Sequence, residues 1–109
     1  MSLTNVLTLS IIKDLSYTGF VAWRNNNGAI FSEKQGCYIK NPMHKKGVPD
    51  IIGFRKSDGK MIAIEIKTGK DKLSIWQENF ISELSQAGGI SFIARDFDEY
   101  RRLILKHDI

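Results

Sequence analysis

Three segments of the chain repeat apolar residues at the spacing of one helical face, about three to four positions. The first segment runs from Thr4 to about Thr18. The second begins after Ser74, which forms a capping-box pattern with Gln77, and it ends at Gly88-Gly89. The third covers Asp96 to Lys106. The spacing predicts three helices with these apolar stripes: Leu3, Leu7, Ile11 and Leu15; Trp76, Phe80, Ile81, Leu84 and Ala87; and Phe97, Tyr100, Leu103 and Ile104.

Shorter β-prone runs lie between these helices. Phe20 to Trp23 and Ile90 to Ala94 read as strands, Gly36 to Lys40 is a weaker candidate, and residues 29–35 fit no single element. The clearest signal comes from VPDIIGF and MIAIEIK, which flank a polar segment centred on Asp58-Gly59. Because Asp-Gly favours tight hairpin turns, these two runs predict an antiparallel pair.

The geometry of this hairpin brings charged residues together. If the turn is centred on Asp58-Gly59, Asp50 lies opposite Lys67 and Ile52 lies opposite Glu65. Opposed residues share a face of a sheet, and so do residues two apart on one strand. Asp50, Glu65 and Lys67 should therefore project from one face, with the two acids as diagonal neighbours roughly 7 Å apart. The other face is predicted to carry Ile51, Gly53, Ile64 and Ile66.

Two carboxylates and one amine at the end of an apolar hairpin need a compensating partner, because an isolated buried carboxylate costs several kcal/mol. Taken singly, each of Asp50, Glu65 and Lys67 could be an ordinary surface or turn residue. Their predicted common face favours a site for Mg²⁺ or Mn²⁺, since hard divalent ions prefer oxygen ligands. Such a site is suited to phosphodiester hydrolysis.

A mechanistic hypothesis follows from this arrangement. Asp50 and Glu65 would hold the metal, with the backbone carbonyl of Ile66 as a further ligand. Lys67 would position or deprotonate the attacking water, or stabilise negative charge on phosphorus. Gln77, in the first turn of the second helix, would orient Lys67 or the water.

Length and composition set the class of protein. The chain has 109 residues, 42% of them hydrophobic and 26% charged, which predicts a single globular domain over residues 1–109. No stretch has the length of a transmembrane helix, and the start lacks the basic flank of a signal peptide. Cys37 is the single cysteine, so an internal disulfide is excluded. We expect residence in the cytoplasm, in a prokaryotic cell or a phage-infected host.

The net charge of +4 favours an anionic partner, and several cations bracket the predicted acidic site. We expect DNA contacts from basic residues on both sides of it, although a solvated basic loop is nearly as common an explanation. A lone loop histidine is more often solvated than functional. Trp76 is expected in the core, and packing is favoured over base stacking for Trp23. The candidate DNA-binding residues are Arg24, His44, Lys45, Lys46, Lys70 and Lys72.

Several motifs together resemble a known nuclease family. GVPDIIGF is followed by EIK, then by LSIWQENF and a Gly-Gly break. This order is similar to the PD-(D/E)XK superfamily and, within it, to the virus-type replication-repair nuclease (VRR-NUC) domain, from about Phe20 to Ile93. The resemblance implies a restriction-endonuclease-like α/β fold, a mixed central sheet flanked by helices, metal-dependent DNA cleavage, and catalytic roles for Asp50, Glu65, Lys67 and Gln77.

The resemblance has one departure. The family commonly has a glutamate in its first helix, yet residues 3–13 contain no acidic residue, and Asp14 is an uncertain substitute. The number of metal ions therefore stays open.

Small members of this superfamily are similar to Holliday-junction resolvases and act as homodimers. The favoured interpretation is a Mg²⁺-dependent endonuclease that selects branched DNA by shape and phosphates. A homodimer would place two active sites on a symmetric junction. Two alternatives remain: a restriction-like or flap nuclease on the same core, and a DNA-binding module with impaired catalysis.

Overall fold

A computed structural model describes residues 2–25, 30–40 and 45–107 of the chain. None of the helices in these ranges is long and apolar enough to cross a membrane. In chain order the elements are α1 Leu3–Tyr17, β1 Phe20–Arg24, β2 Ile30–Ser32, β3 Cys37–Ile39, β4 Ile51–Arg55, β5 Met61–Ile66, α2 Ile75–Gln86, β6 Ile90–Ala94 and α3 Phe97–Leu105. The three predicted helices are confirmed, with small differences in their ends.

Four strands form the central sheet in the order β1-β4-β5-β6. The β1/β4 and β4/β5 pairs are antiparallel, whereas β5 and β6 are parallel and are joined through α2. The predicted mixed sheet flanked by helices is confirmed. Strands β2 and β3 pair with each other in a separate two-stranded sheet.

One face of the central sheet forms the core together with α1 and α3. Alternate residues of every strand point into it, because side chains alternate across a strand. From the helices, Ile11, Leu15, Tyr100 and Ile104 are buried against this face, whereas Leu3 at the start of α1 is 82% exposed. The buried strand residues are Phe20, Ile51, Ile62, Ile64, Ile66, Ile90, Phe92 and Ala94. The predicted apolar face of the hairpin, with Ile51, Gly53, Ile64 and Ile66, is therefore confirmed.

The predicted hairpin register was wrong by two residues. Ile51 pairs with Ile64, and Ile52 pairs with Ala63 instead of Glu65. Extending this register by one residue places Asp50 opposite Glu65, not opposite Lys67 as predicted. Because side chains alternate with a period of two, a shift by two leaves every residue on its predicted face.

The chemistry of the hairpin loop explains the shift. The Arg55 N–H donates to the Lys60 carbonyl at 2.8 Å, and the Gly59 N–H donates to the Arg55 carbonyl at 2.7 Å. The Asp58 carboxylate accepts from the Arg55 guanidinium and from the Lys60 N–H. Asp58 thus stabilises a four-residue loop instead of standing in a two-residue turn. Gly59 adopts a positive φ of 77°, which glycine tolerates because it has no side chain.

Helix α2 lies against β6, on the side of the sheet opposite α1 and α3. It begins with the predicted capping box: the Ser74 hydroxyl accepts from the Gln77 N–H, and the Gln77 side chain accepts from the Ser74 N–H. Among the residues of this helix none is fully buried. Trp76 is 54% exposed, so its predicted place in the core was wrong.

Asp14 connects α1 to α3. Its Oδ2 accepts from the fully buried Tyr100 hydroxyl at 2.6 Å and from the Arg101 guanidinium at 3.0 Å. Burial and this acceptor raise the pKa of the Tyr100 hydroxyl above its usual range. Both bonds serve the packing of the two helices, so Asp14 acts as a structural residue.

Asp14→Ala should lower the free energy of unfolding by about 2 kcal/mol, because it leaves the buried Tyr100 hydroxyl without its acceptor. Tyr100→Phe keeps the Arg101 pair and should cost less, about 1 kcal/mol. Urea denaturation measures both. A stable Asp14→Ala protein that has lost magnesium binding would contradict the structural role.

Candidate active site

The two predicted acids meet where β4 begins and β5 ends. The Ile66 N–H donates to Asp50 Oδ2 at 2.9 Å, which fixes the Asp50 carboxylate beside the end of β5. Glu65 lies on the same face and is 3% exposed, while Asp50 is half-buried. The geometry thus brings together the two carboxylates that the sequence pattern singled out.

Lys67 and Gln77 both contact Glu65. Lys67 Nζ lies 3.8 Å from Glu65 Oε2, and its side chain is 15% exposed. Gln77 Nε2 donates to the same oxygen at 3.3 Å. Because Gln77 Oε1 accepts from the Ser74 N–H at 2.9 Å, the helix cap orients the amide so that its NH₂ group faces Glu65. The four predicted catalytic residues therefore lie together, with Asp50, Lys67 and Gln77 around the Glu65 carboxylate.

The environment of Glu65 disfavours its charged form. Burial, followed by the negative charge of Asp50 and a hydrogen bond with its carboxyl, raises the pKa of Glu65 to about 8. The Lys67 ammonium opposes this rise without cancelling it. Glu65 therefore retains a proton near neutral pH until another cation displaces it.

The loop before Asp50 is anchored to the start of α2. Gly47 has φ 84°, and a Cβ at this position would overlap the backbone carbonyl of Trp76. Pro49 is buried, and the Asn25 N–H donates to the Asp50 carbonyl at 2.6 Å. These constraints hold Asp50 at the sheet edge. The sequence motif contained Gly47, but its contact with α2 could not be read from the motif.

The donor set fits a hard divalent ion. Both acids present oxygen ligands, and the proton on Glu65 is of the kind that metal binding displaces. The Lys67 N–H donates to Ala94 on β6, so the backbone groups of Ile66 face the β4 side, where Asp50 lies. Across residues 2–25, 30–40 and 45–107, no group of three or more His, Cys, Asp or Glu side chains is placed to hold a metal.

The first helix offers hydroxyls near this site instead of an acid. Thr4 Oγ1 lies 2.9 Å from Thr68 Oγ1, one residue beyond Lys67. Asp14, the uncertain substitute for the family glutamate, bonds to α3 instead.

The candidate DNA-binding residues that the structure describes lie in segments that flank this end of the sheet. Arg24 ends β1 and is paired with Ile51, so it shares the face of Ile51 and not that of Asp50. Lys45 and Lys46 are exposed in the loop before Asp50, and Lys70 and Lys72 are exposed between β5 and α2. His44 lies outside the described residues. Their predicted contacts with DNA stay predictions.

A family model of the VRR-NUC domain matches residues 20–96. The chain belongs to the VRR-NUC family. The matched range contains Asp50, Glu65, Lys67 and Gln77, and it begins after α1. Membership confirms the predicted family and shows that the chain is a nuclease domain.

A solved structure supports the same fold for the VRR-NUC chain. Hjc from Archaeoglobus fulgidus, a Holliday junction resolvase from an archaeal hyperthermophile, superimposes with a TM-score of 0.52 at 20% sequence identity. The match covers 87% of this chain and 65% of Hjc, so the chain spans about two thirds of the Hjc length. A comparison with curated protein sequences found no significant match. At this identity the likeness to Hjc shows the fold alone.

The raised pKa of Glu65 makes the stability of the metal-free protein depend on pH. The folded state holds a proton between about pH 4.5 and about pH 8 that the unfolded state releases. The free energy of unfolding should therefore fall as pH rises through this window, by at most about 1.4 kcal/mol per pH unit. Urea denaturation in the presence of a chelator measures this slope.

Glu65→Gln is the control for this measurement, because it keeps the shape of the side chain and cannot ionise. The free energy of unfolding of this variant should lack the fall with pH that the Glu65 proton causes in the wild type. Parallel profiles for the wild type and the variant would show that Glu65 titrates normally.

Proposed function

We propose that this VRR-NUC domain is a metal-dependent, structure-selective DNA endonuclease that hydrolyses phosphodiester bonds of branched DNA such as Holliday junctions. The supporting observation is the buried Glu65, held between Asp50, Lys67 and Gln77 at one end of the sheet. A surface ion pair would not place a second carboxylate against the first at a desolvated position. The arrangement costs stability, which is typical of functional sites.

Asp50, Glu65 and the Ile66 carbonyl would hold Mg²⁺ or Mn²⁺. When bound, such an ion polarises the phosphate and lowers the pKa of a coordinated water. The Ile66 N–H bond to Oδ2 orients the Asp50 carboxylate and leaves it further lone pairs for a metal ion. Gln77 donates to Glu65 Oε2 and thereby fixes the orientation of the Glu65 carboxyl group.

Lys67 supplies the positive charge of the site. Its ammonium is mostly buried and lies 3.8 Å from Glu65, on the face toward which a scissile phosphate would approach. From there it can hold the attacking water or stabilise the charge that develops on the phosphate oxygens. A lysine in salt-bridge contact with a buried carboxylate is fixed in position, so it does not need to reorganise during the reaction.

Branched DNA is proposed as the substrate because the fold is shared with Hjc, which is a Holliday junction resolvase. The exposed cations around the site, Arg24, Lys45, Lys46, Lys70 and Lys72, can contact phosphates without reading bases. A homodimer would present two such sites to the two symmetric strands of a junction. A flap or restriction-like nuclease is the second candidate, since the same residues would serve it equally well.

The first test is cleavage of a four-way junction, a flap and a linear duplex with Mg²⁺ or with a chelator. We expect metal-dependent cutting of the junction and little cutting of the duplex. Lys67→Ala should lower the rate by about 100-fold or more, because it removes a charge that stabilises the transition state. Lys56→Ala is the matched control: it removes the same charge at the far end of β4 and should retain activity.

Each outcome of the cleavage test has a clear meaning. Metal-independent or absent cleavage would contradict the catalytic proposal and favour the DNA-binding module. Equal cutting of all three DNA molecules would contradict selectivity for branched DNA.

Gln77→Glu tests the hydrogen bond from Gln77 to Glu65 separately from the role of Gln77 in the helix cap. The new carboxylate still accepts from the Ser74 N–H, but it cannot donate to Glu65 and adds a negative charge beside it, so the cleavage rate should fall about tenfold to 100-fold. Gln86→Glu, at the other end of α2, makes the same change of charge and should cleave normally. Equal activity of the two variants would exclude a positioning role for Gln77.

A further inference from the structure

Trp76 is a large apolar residue that is unusually exposed to solvent. Its ring is 54% exposed, at the first turn of α2, and the preceding Ile75 is 62% exposed. A tryptophan inside a helical apolar stripe normally packs into the core. Here the core lies on the other side of the sheet, so packing within the described chain does not account for the side chain.

The position of Trp76 is nevertheless fixed. Its backbone carbonyl is in close contact with Gly47, whose positive φ and missing side chain allow the approach. The capping box of Ser74 and Gln77 fixes the same turn through two hydrogen bonds. A rigid aromatic side chain loses little conformational entropy when it binds a ligand.

Trp76 is also beside the candidate active site. The next residue, Gln77, contacts Glu65 at 3.3 Å, and the loop that Trp76 touches leads to Asp50 within three residues of Gly47. Trp76 is therefore tied through its neighbours to both acids of the site.

The charge around the ring matches a nucleic acid. Lys46 Nζ lies 5.5 Å from the centroid of the Trp76 ring, within the range of a cation–π contact. Lys46 and the neighbouring Lys45 are both exposed. An exposed aromatic ring with cations at its side is the combination by which proteins bind unpaired nucleotides: the ring stacks on a base, and the cation contacts phosphate.

We propose that Trp76 stacks on a nucleobase that is unpaired or unstacked at the branch point, next to the cleaved phosphate, and that Lys46 contacts the adjoining backbone. This proposal rests on the proposed nuclease function and specifies its substrate: DNA with unpaired or unstacked nucleotides near the branch point. Trp76 is then a substrate-binding residue. Its stacking favours branched DNA over continuous duplex, in which every base is already stacked.

Binding is measured by fluorescence anisotropy in the Lys67→Ala background, so that the DNA stays intact. The probes are a splayed-arm DNA and a blunt duplex of the same sequence. Adding Trp76→Leu should weaken binding of the splayed-arm DNA by about fivefold to 100-fold and that of the duplex less than twofold. Trp76→Phe should recover part of the loss, because it keeps an aromatic ring.

Tyr17→Leu is the matched control. Tyr17 is 77% exposed at the end of α1, a helix on the other face of the sheet, so its replacement should leave both affinities unchanged. Lys46→Gln should reduce the slope of log affinity against log salt by about 0.7 to 0.9, as expected for one lost phosphate contact.

Intrinsic fluorescence reports stacking directly. Adding Trp23→Phe leaves Trp76 as the one tryptophan of the chain, and its emission should be quenched by the splayed-arm DNA. Binding without quenching, or an equal loss of affinity for the duplex, would overturn the stacking while leaving the nuclease proposal intact. Absence of binding to either DNA would overturn both. A change of molecular mass in Trp76→Leu, with unchanged DNA affinity, would assign the side chain to a contact between copies of the chain.

Discussion

The candidate site depends on one constraint: two carboxylates are held against each other at the end of a sheet, where water has little access. The sheet register brings Asp50 opposite Glu65, and the Ile66 N–H fixes Asp50 there. Burial and mutual repulsion then raise the pKa of Glu65 to about 8. A folded protein has no structural need for this arrangement, because an apolar pair would pack more favourably at the same position. In the proposed function, a divalent cation would take the place of the proton on Glu65.

The surrounding structure serves this pair. The Gly47 contact holds the loop that carries Asp50 against α2, and the helix cap turns the Gln77 amide toward Glu65. Lys67 reaches Glu65 from the same strand. The contacts of α2 with the loop before Asp50 therefore also hold the residues of the site in position.

Much of this could be predicted from the sequence, since it rests on short-range rules. The alternation of the hairpin strands gave the common face of Asp50, Glu65 and Lys67, and the Ser74 and Gln77 spacing gave the helix cap. The register was missed because Asp58 bonds to Arg55 and Lys60 and lengthens the loop. The exposure of Trp76 was missed because helical spacing identifies an apolar stripe without showing whether another element covers it. The roles of Asp14 and Gly47 depend on contacts between distant segments, which no local pattern contains.

The central claim is that Asp50 and Glu65 together hold a divalent ion. Titration calorimetry with Mn²⁺ at about pH 8, in the presence of uncut junction DNA and the Lys67→Ala protein, measures this binding directly. We expect saturable uptake accompanied by proton release, and loss of both when Glu65→Gln is added. Mn²⁺ binding that is equally strong without the Glu65 carboxylate, or no Mn²⁺ binding at all, would contradict joint coordination by Asp50 and Glu65.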